Sequence, residues 1–172
     1  MTTTTTTTPT ASRQQRLNEL LSRDEINRLN ARSDWRVMCA ILSTWAIIAA
    51  ALALVAIYPN VLTVVVALCL IAGRQLALAI LQHDASHYSL FKSRWMNDVL
   101  GDWLCARPVW QHLPKYREHH RRHHTLTGTV DDPDITLHDG YPVTRASLAR
   151  KMLRDITGIT GVKLLIGLML MD

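Results

Sequence analysis

The chain has 172 residues, 48% of them hydrophobic, and a net charge of +5. That length allows one ordinary domain, and three cysteines without C-x-x-C spacing (Cys39, Cys69 and Cys105) exclude a disulfide framework or a zinc ribbon. The positive charge is no nucleic-acid footprint, because the arginines gather before the first apolar run and around a histidine cluster.

Residues 2–8 are all threonine and precede Pro9. With no apolar face to bury, they are predicted to be disordered. Residues 18–35 read as helical, with Leu20, Leu21, Ile26 and Leu29 among polar neighbours. They form either a short amphipathic helix near a membrane surface or a partly ordered polar leader.

Residues 37–57 carry no charge, and the run is long enough for a hydrocarbon core of about 30 Å. The polar leader before it contains acidic residues, which does not fit a signal peptide. Tyr58-Pro59-Asn60 makes a turn, and a second apolar run covers 61–81. Together these predict a transmembrane hairpin. The leader carries Arg13, Arg16, Arg23, Arg28, Arg32 and Arg36, whereas the turn is uncharged. The positive-inside rule then puts the N-terminus and the end of the second run in the cytoplasm. Arg74 and Gln75 interrupt that run. Arg74 is positioned to snorkel, while Gln75 shares an i+4 ridge with Ala79, His83 and His87 and is expected to face the same interior.

The mixed segment 83–151 includes an amphipathic stretch, 95–110, whose Trp95, Trp103 and Trp110 suit a membrane interface. Pro108 and Pro114 are expected to break it. Residues 156–171 are apolar but reach only about 24 Å as a helix, so the chain is read as stopping within a membrane helix. The predicted class is an all-α polytopic membrane protein. Its parts are a polar leader (1–36), a hairpin (37–81), a cytoplasmic histidine-rich helical region with an interfacial helix (82–151) and the start of a further membrane helix (152–172).

Six of the eight histidines fall in two groups. His83-Asp84-Ala85-Ser86-His87 sets two imidazoles at i and i+4, on one helical face and able to reach a common ion. In His119-His120-Arg121-Arg122-His123-His124, the residues His120, His123 and His124 repeat that logic at i, i+3 and i+4. Two such groups on one predicted side of a membrane point to metal binding. Neutral imidazole suits zinc, copper, iron or nickel, so the donors alone leave the metal open. No H-E-x-x-H supplies a peptidase base, and no paired Glu-x-x-His motifs indicate a soluble carboxylate-bridged di-iron bundle. An all-histidine site beside lipid suits redox chemistry on an apolar substrate.

These motifs, with Asn97, Gly101, Arg117-Glu118 and Asp132-Pro133-Asp134, resemble the membrane fatty acid desaturase superfamily, whose first two histidine boxes are H-x-x-x-H and H-x-x-H-H. The resemblance implies that His83, His87, His120, His123 and His124 are iron ligands of a two-iron centre with O2 as co-substrate. It implies a lipid acyl substrate and a separate electron donor, ferredoxin-like or cytochrome-like, in an inner or plasma membrane with the boxes on the cytoplasmic side. His119 lies outside the box spacing, as a supporting residue or an alternative ligand. His112 and His138 match neither box and are read as surface or interface positions. Asp84, Asp132 and Asp134 are placed to accept the second ring N–H of bound histidines, and Asp132-Pro133-Asp134 also makes a turn. The third H-x-x-H-H box of that superfamily has no counterpart in these residues. The chain is therefore read as an N-terminal portion whose site other residues complete. Rival readings are a related hydroxylase or ketolase acting on alkanes, carotenoids or sphingolipids, and a non-enzymatic metal-binding membrane protein.

Overall fold

The computed structural model describes residues 20–138 and 140–171, with side chains for all of these except 138 and 168–171. The threonine run, Arg13 and Arg16 lie outside the described residues, as does the His138 side chain. Every regular element among the described residues is helical.

The described residues fall into two compact units, one ending at Ser33 and the other beginning at Asp34. In the first, α1 spans Arg23–Leu29. A reciprocal cap starts it: the Glu25 N–H donates to Ser22 Oγ at 3.3 Å and the Ser22 N–H donates to Glu25 Oε2 at 2.8 Å. Asn30 closes it by donating its N–H to Ile26 O. The single helix expected over 18–35 is thus interrupted, because both flanking residues prefer cap geometry to helix interior.

The second unit begins with α2 (Asp34–Ile57) and α3 (Val61–Ser86), which pack against each other. Helix α2 ends before Tyr58-Pro59, where a proline pushes the preceding residue out of the helical region. Asn60 restarts the chain: its Oδ1 accepts the Thr63 N–H at 3.1 Å, and the Asn60 N–H donates to Thr63 Oγ1 at 3.2 Å. Both helices are long and apolar enough to cross a membrane, running about 36 and 39 Å at 1.5 Å per residue. Leu52, Leu62, Leu68 and Leu76 are each more than half exposed, so the hairpin presents an outward apolar surface rather than a buried core stripe. Helix α3 continues past the apolar run and carries His83 within its last turn.

A small core closes the histidine end, built from Ile41, Ala85, Leu90, Phe91, Cys105, Ala106 and Leu113. Helix α4 (Arg94–Gly101) runs into a π turn (Asp102–Ala106) and a 3-10 turn (Arg107–Val109). The amphipathic stretch expected over 95–110 is therefore three segments, and Trp95, Trp103 and Trp110 stand exposed on them. Pro114 lies in the first turn of α5 (Leu113–Leu126), where its missing N–H costs nothing, so it starts a helix rather than breaking one. Three polar ties hold this layer. Buried Asn97 accepts the Phe91 N–H and donates to the Phe91 and Ser93 carbonyls. The Trp45 indole donates to Leu104 O at 3.1 Å. Asp102, nearly buried, accepts the Leu113 N–H at 2.8 Å and the Arg107 Nε–H at 2.9 Å, capping α5 from eleven residues upstream.

Beyond α5 come a 3-10 turn (Ile135–His138), α6 (Arg145–Ile156) and α7 (Ile159–Met171). Helix α6 groups Leu148, Met152 and Ile156 on one side and Arg150, Lys151 and Arg154 on the other. Gly158, at φ +78°, makes the bend into α7.

Candidate metal centre

Two elements supply the histidines. The last turn of α3 presents His83, with His87 as its C-cap, whose N–H bonds to the carbonyls of His83 and Ala85. Helix α5 crosses that end and presents His120 and His124 on one face. The His87 and His120 Nε2 atoms are 3.0 Å apart, as are those of His120 and His124. His83 completes the group, its ring centroid 4.8 Å from His87 and 4.7 Å from His120. One donor atom from each of the four lies within 4.8 Å of every other.

This spacing fits a cation. At a zinc–imidazole length of about 2.0–2.1 Å, neighbouring ligand nitrogens stand about 3.0–3.4 Å apart. Without an ion, converging imidazoles repel when charged. Burial, reinforced by His124, His83, His87 and His123, lowers the His120 pKa to about 4. Burial first, then His83 and His124, also lowers His87, against a smaller opposing effect of Asp84. Both rings are thus held in the neutral form that a metal requires.

His123 stands apart from the four. Its ring is 6.0 Å from His120 and 5.7 Å from His124, while its Nδ1 lies 2.8 Å from Asp132 Oδ1 and 3.4 Å from Asp134 Oδ2. That hydrogen bond is the main cause raising the His123 pKa. Asp132 is lowered, chiefly by the Asp134 N–H and then by His123; it also accepts the Gly128 N–H. With Nδ1 committed to Asp132, Nε2 is the nitrogen left for another partner. His123, Asp132 and Asp134 themselves form a second group with donor atoms within 4.8 Å. His119 turns to Asp134, Nε2 to Oδ1 2.9 Å, and Asp84 Oδ1 lies 3.2 Å from His83 Nδ1.

Other expected residues fall elsewhere. Gln75 lines a groove of ≈ 550 Å³ with Trp110 and α7 residues Gly161 and Leu164. Gln82, which precedes His83 in the chain, is buried, and its Nε2 has no partner among the described residues, as is true of His112 Nδ1. His112 is the N-cap of α5 and half-buried.

Residues given no role by sequence reasoning complete the surroundings. Tyr116 stacks on His120 with centroids 5.3 Å apart. Arg117 bonds to the carbonyls of Ala85 and Ser86 and to Asp98. Both precede His120 by one turn, and that i−4, i−3 spacing was the available signal. An opening of ≈ 370 Å³ beside Arg117 is lined by His87, His120, His124 and Tyr88.

The family described as Fatty acid desaturase matches residues 59–172. An sn-1 acyl-lipid omega-3 desaturase (ferredoxin) of Nostoc sp. (strain 36) is 36% identical over 70 residues, covering 41% of this chain and 18% of the relative. The chain thus spans a minor part of that relative's length. No solved structure matches.

Proposed function

The chain belongs to the fatty acid desaturase family, and from that premise we propose that it forms part of an O2-dependent desaturase acting on a lipid acyl chain at a histidine-held two-iron centre. The observation that carries this is the convergence of His83, His87, His120 and His124 from two helices at the end of an apolar hairpin. His123 joins them as the fifth ligand through Nε2, with Asp132 fixing its tautomer. Asp84 does the same for His83, and His119 and Asp134 support His123 from outside the ligand set. Five imidazoles leave coordination positions of two ions unfilled, so further donors come from outside these residues.

Bound iron supplies the O2 reduction and hydrogen abstraction for which side chains have no chemistry. The chain's own residues hold the donors neutral and aligned, and the hairpin delivers the acyl chain from the lipid phase. In balance, one O2, two electrons and two protons are consumed with two acyl hydrogens, giving one double bond and two waters. The electrons require an external donor; a ferredoxin is the natural class, since the Nostoc relative's name carries that word. The arginine-rich leader supports an inner or plasma membrane location with the histidines on the cytoplasmic side.

Product analysis by mass spectrometry on the full-length protein tests the reaction: loss of two hydrogens is expected, and retained oxygen, the mark of a hydroxylase or ketolase, would overturn it. His83→Ala and His124→Ala should each abolish turnover and lower bound iron. Full iron content and activity in either would remove the ligand assignment.

A further inference from the structure

Two histidine pairs on different helices make one site only if something fixes the distance between the helices. The geometry points to Arg117 as that positioning residue, through its hold on the α3 carbonyls between His83 and His87. This inference rests on the metal-binding reading above.

Arg117 lies on α5, one turn before His120 and on the same side of the helix. Its Nε–H donates to Ser86 O at 3.0 Å and its Nη2 to Ala85 O at 3.2 Å. Carbonyls in the last turn of a helix are left without their i+4 partners; that of Ala85 takes the Tyr88 N–H at 3.0 Å in a tighter turn and keeps a second lone pair for Arg117. Nη2 also lies 2.8 Å from Asp98 Oδ1 on α4. The guanidinium sits 4.1 Å over the Tyr88 ring, which Arg94 also approaches at 4.8 Å. Tyr88 has φ +56°, so the chain leaves α3 by a sharp turn that brings this ring beneath Arg117.

One side chain therefore touches α3, the turn after it and α4, while its backbone belongs to the helix that carries the second histidine pair. The guanidinium fork is rigid and planar, so two carbonyls held at once fix both distance and angle. A positive charge is also favoured at the C-terminal end of α3. A lysine would keep the charge but present a flexible ammonium in place of the fork. Arg117 donates no lone pair to a metal; its effect on the site is through helix placement.

The test uses the full-length protein in lipid nanodiscs, stripped of metal and titrated with Co(II), whose visible absorption reports ligand geometry. Arg117→Gln should weaken Co(II) binding by about 10- to 100-fold and shift the absorption bands, with helix content by circular dichroism unchanged. Arg117→Lys should recover part of the affinity but not the original spectrum. Unaltered affinity and spectrum in Arg117→Gln, with binding lost in His83→Ala, would overturn the Arg117 role while leaving the metal site standing. Equal Co(II) binding by His83→Ala and the unsubstituted protein would overturn the metal reading and the positioning role together. Should Arg117→Gln not fold, Asp98→Asn removes the counter-charge alone. Loss of several-fold in affinity supports the assignment, and no loss overturns it.

Discussion

Gly101→Ala tests the packing that brings the histidine helices together. Gly101 has helical backbone angles, φ −62° and ψ −40°, so an alanine there is conformationally easy. Helix propensity alone would make the substitution stabilising by about 1 kcal/mol. The structure predicts the opposite sign. A Cβ at position 101 would lie 2.6 Å from Ala85 Cβ and 3.2 Å from Leu113 Cδ2. Carbon atoms in contact stand about 3.5–4.0 Å apart, so α3 and α4 must separate by about 1 Å. Forced overpacking of this kind costs about 1–3 kcal/mol, leaving a net loss of up to about 2 kcal/mol. Ala85→Gly removes the opposing methyl, so a double-mutant cycle measured by thermal unfolding should show favourable coupling of about 1–3 kcal/mol. Because the Ala85 carbonyl accepts from Arg117, Co(II) affinity should fall in Gly101→Ala and return in the double variant. A stabilised Gly101→Ala with no coupling to position 85 would refute the close crossing.

Two further outcomes concern the histidines. Asp132→Asn keeps the side-chain shape but removes the charge that holds the His123 proton on Nδ1, so metal affinity should drop by about 10- to 100-fold while far-ultraviolet dichroism is unchanged; an unaltered affinity would remove that role. In the metal-free protein the folded His120 pKa, about 4, lies below the unfolded value of about 6.5. The depressed basic group stabilises the fold above the unfolded pKa. That contribution is lost as pH falls from about 6.5 toward 4. Unfolding monitored across that window should show stability declining toward acid, and a rise would contradict the burial of neutral His120.

The all-α class and the hairpin were legible because charge-free runs and a Tyr-Pro-Asn turn act locally. Both helix boundaries at that turn follow from Pro59 and the Asn60 cap. Four of the five box histidines converge as their spacing implied, since i and i+4 fix a shared face before any tertiary contact forms. His123 satisfies the same spacing yet turns to Asp132, nine residues on. Asp132 is expected to accept a histidine N–H, but which ring it takes is set by the turn after α5 and is not written in periodicity. Pro114 starts a helix instead of breaking one, because a proline is a breaker or a starter according to whether its N–H is already surplus. Here Asp102, eleven residues away, caps the helix and decides the matter. Helix α6 is hidden in the composition because its arginines dominate it, while its apolar face emerges only at a 3.6-residue period.

The depth of the site follows from how far α3 outruns its own apolar segment. That segment ends at Leu81, and each residue adds about 1.5 Å. His83 then lies about 3 Å, and His87 about 9 Å, beyond the end of the apolar run. On the proposed membrane reading, one turn deeper would put the imidazoles in hydrocarbon, where bound cations are poorly solvated. One turn further out would put the acyl carbon of the proposed substrate beyond reach without drawing apolar chain into water. The helix stops where it does because Tyr88 takes a left-handed φ immediately after His87, and Arg117 closes the carbonyls that this stop exposes. The same termination thus sets the height of the first histidine pair and creates the acceptors by which the second pair is brought to it.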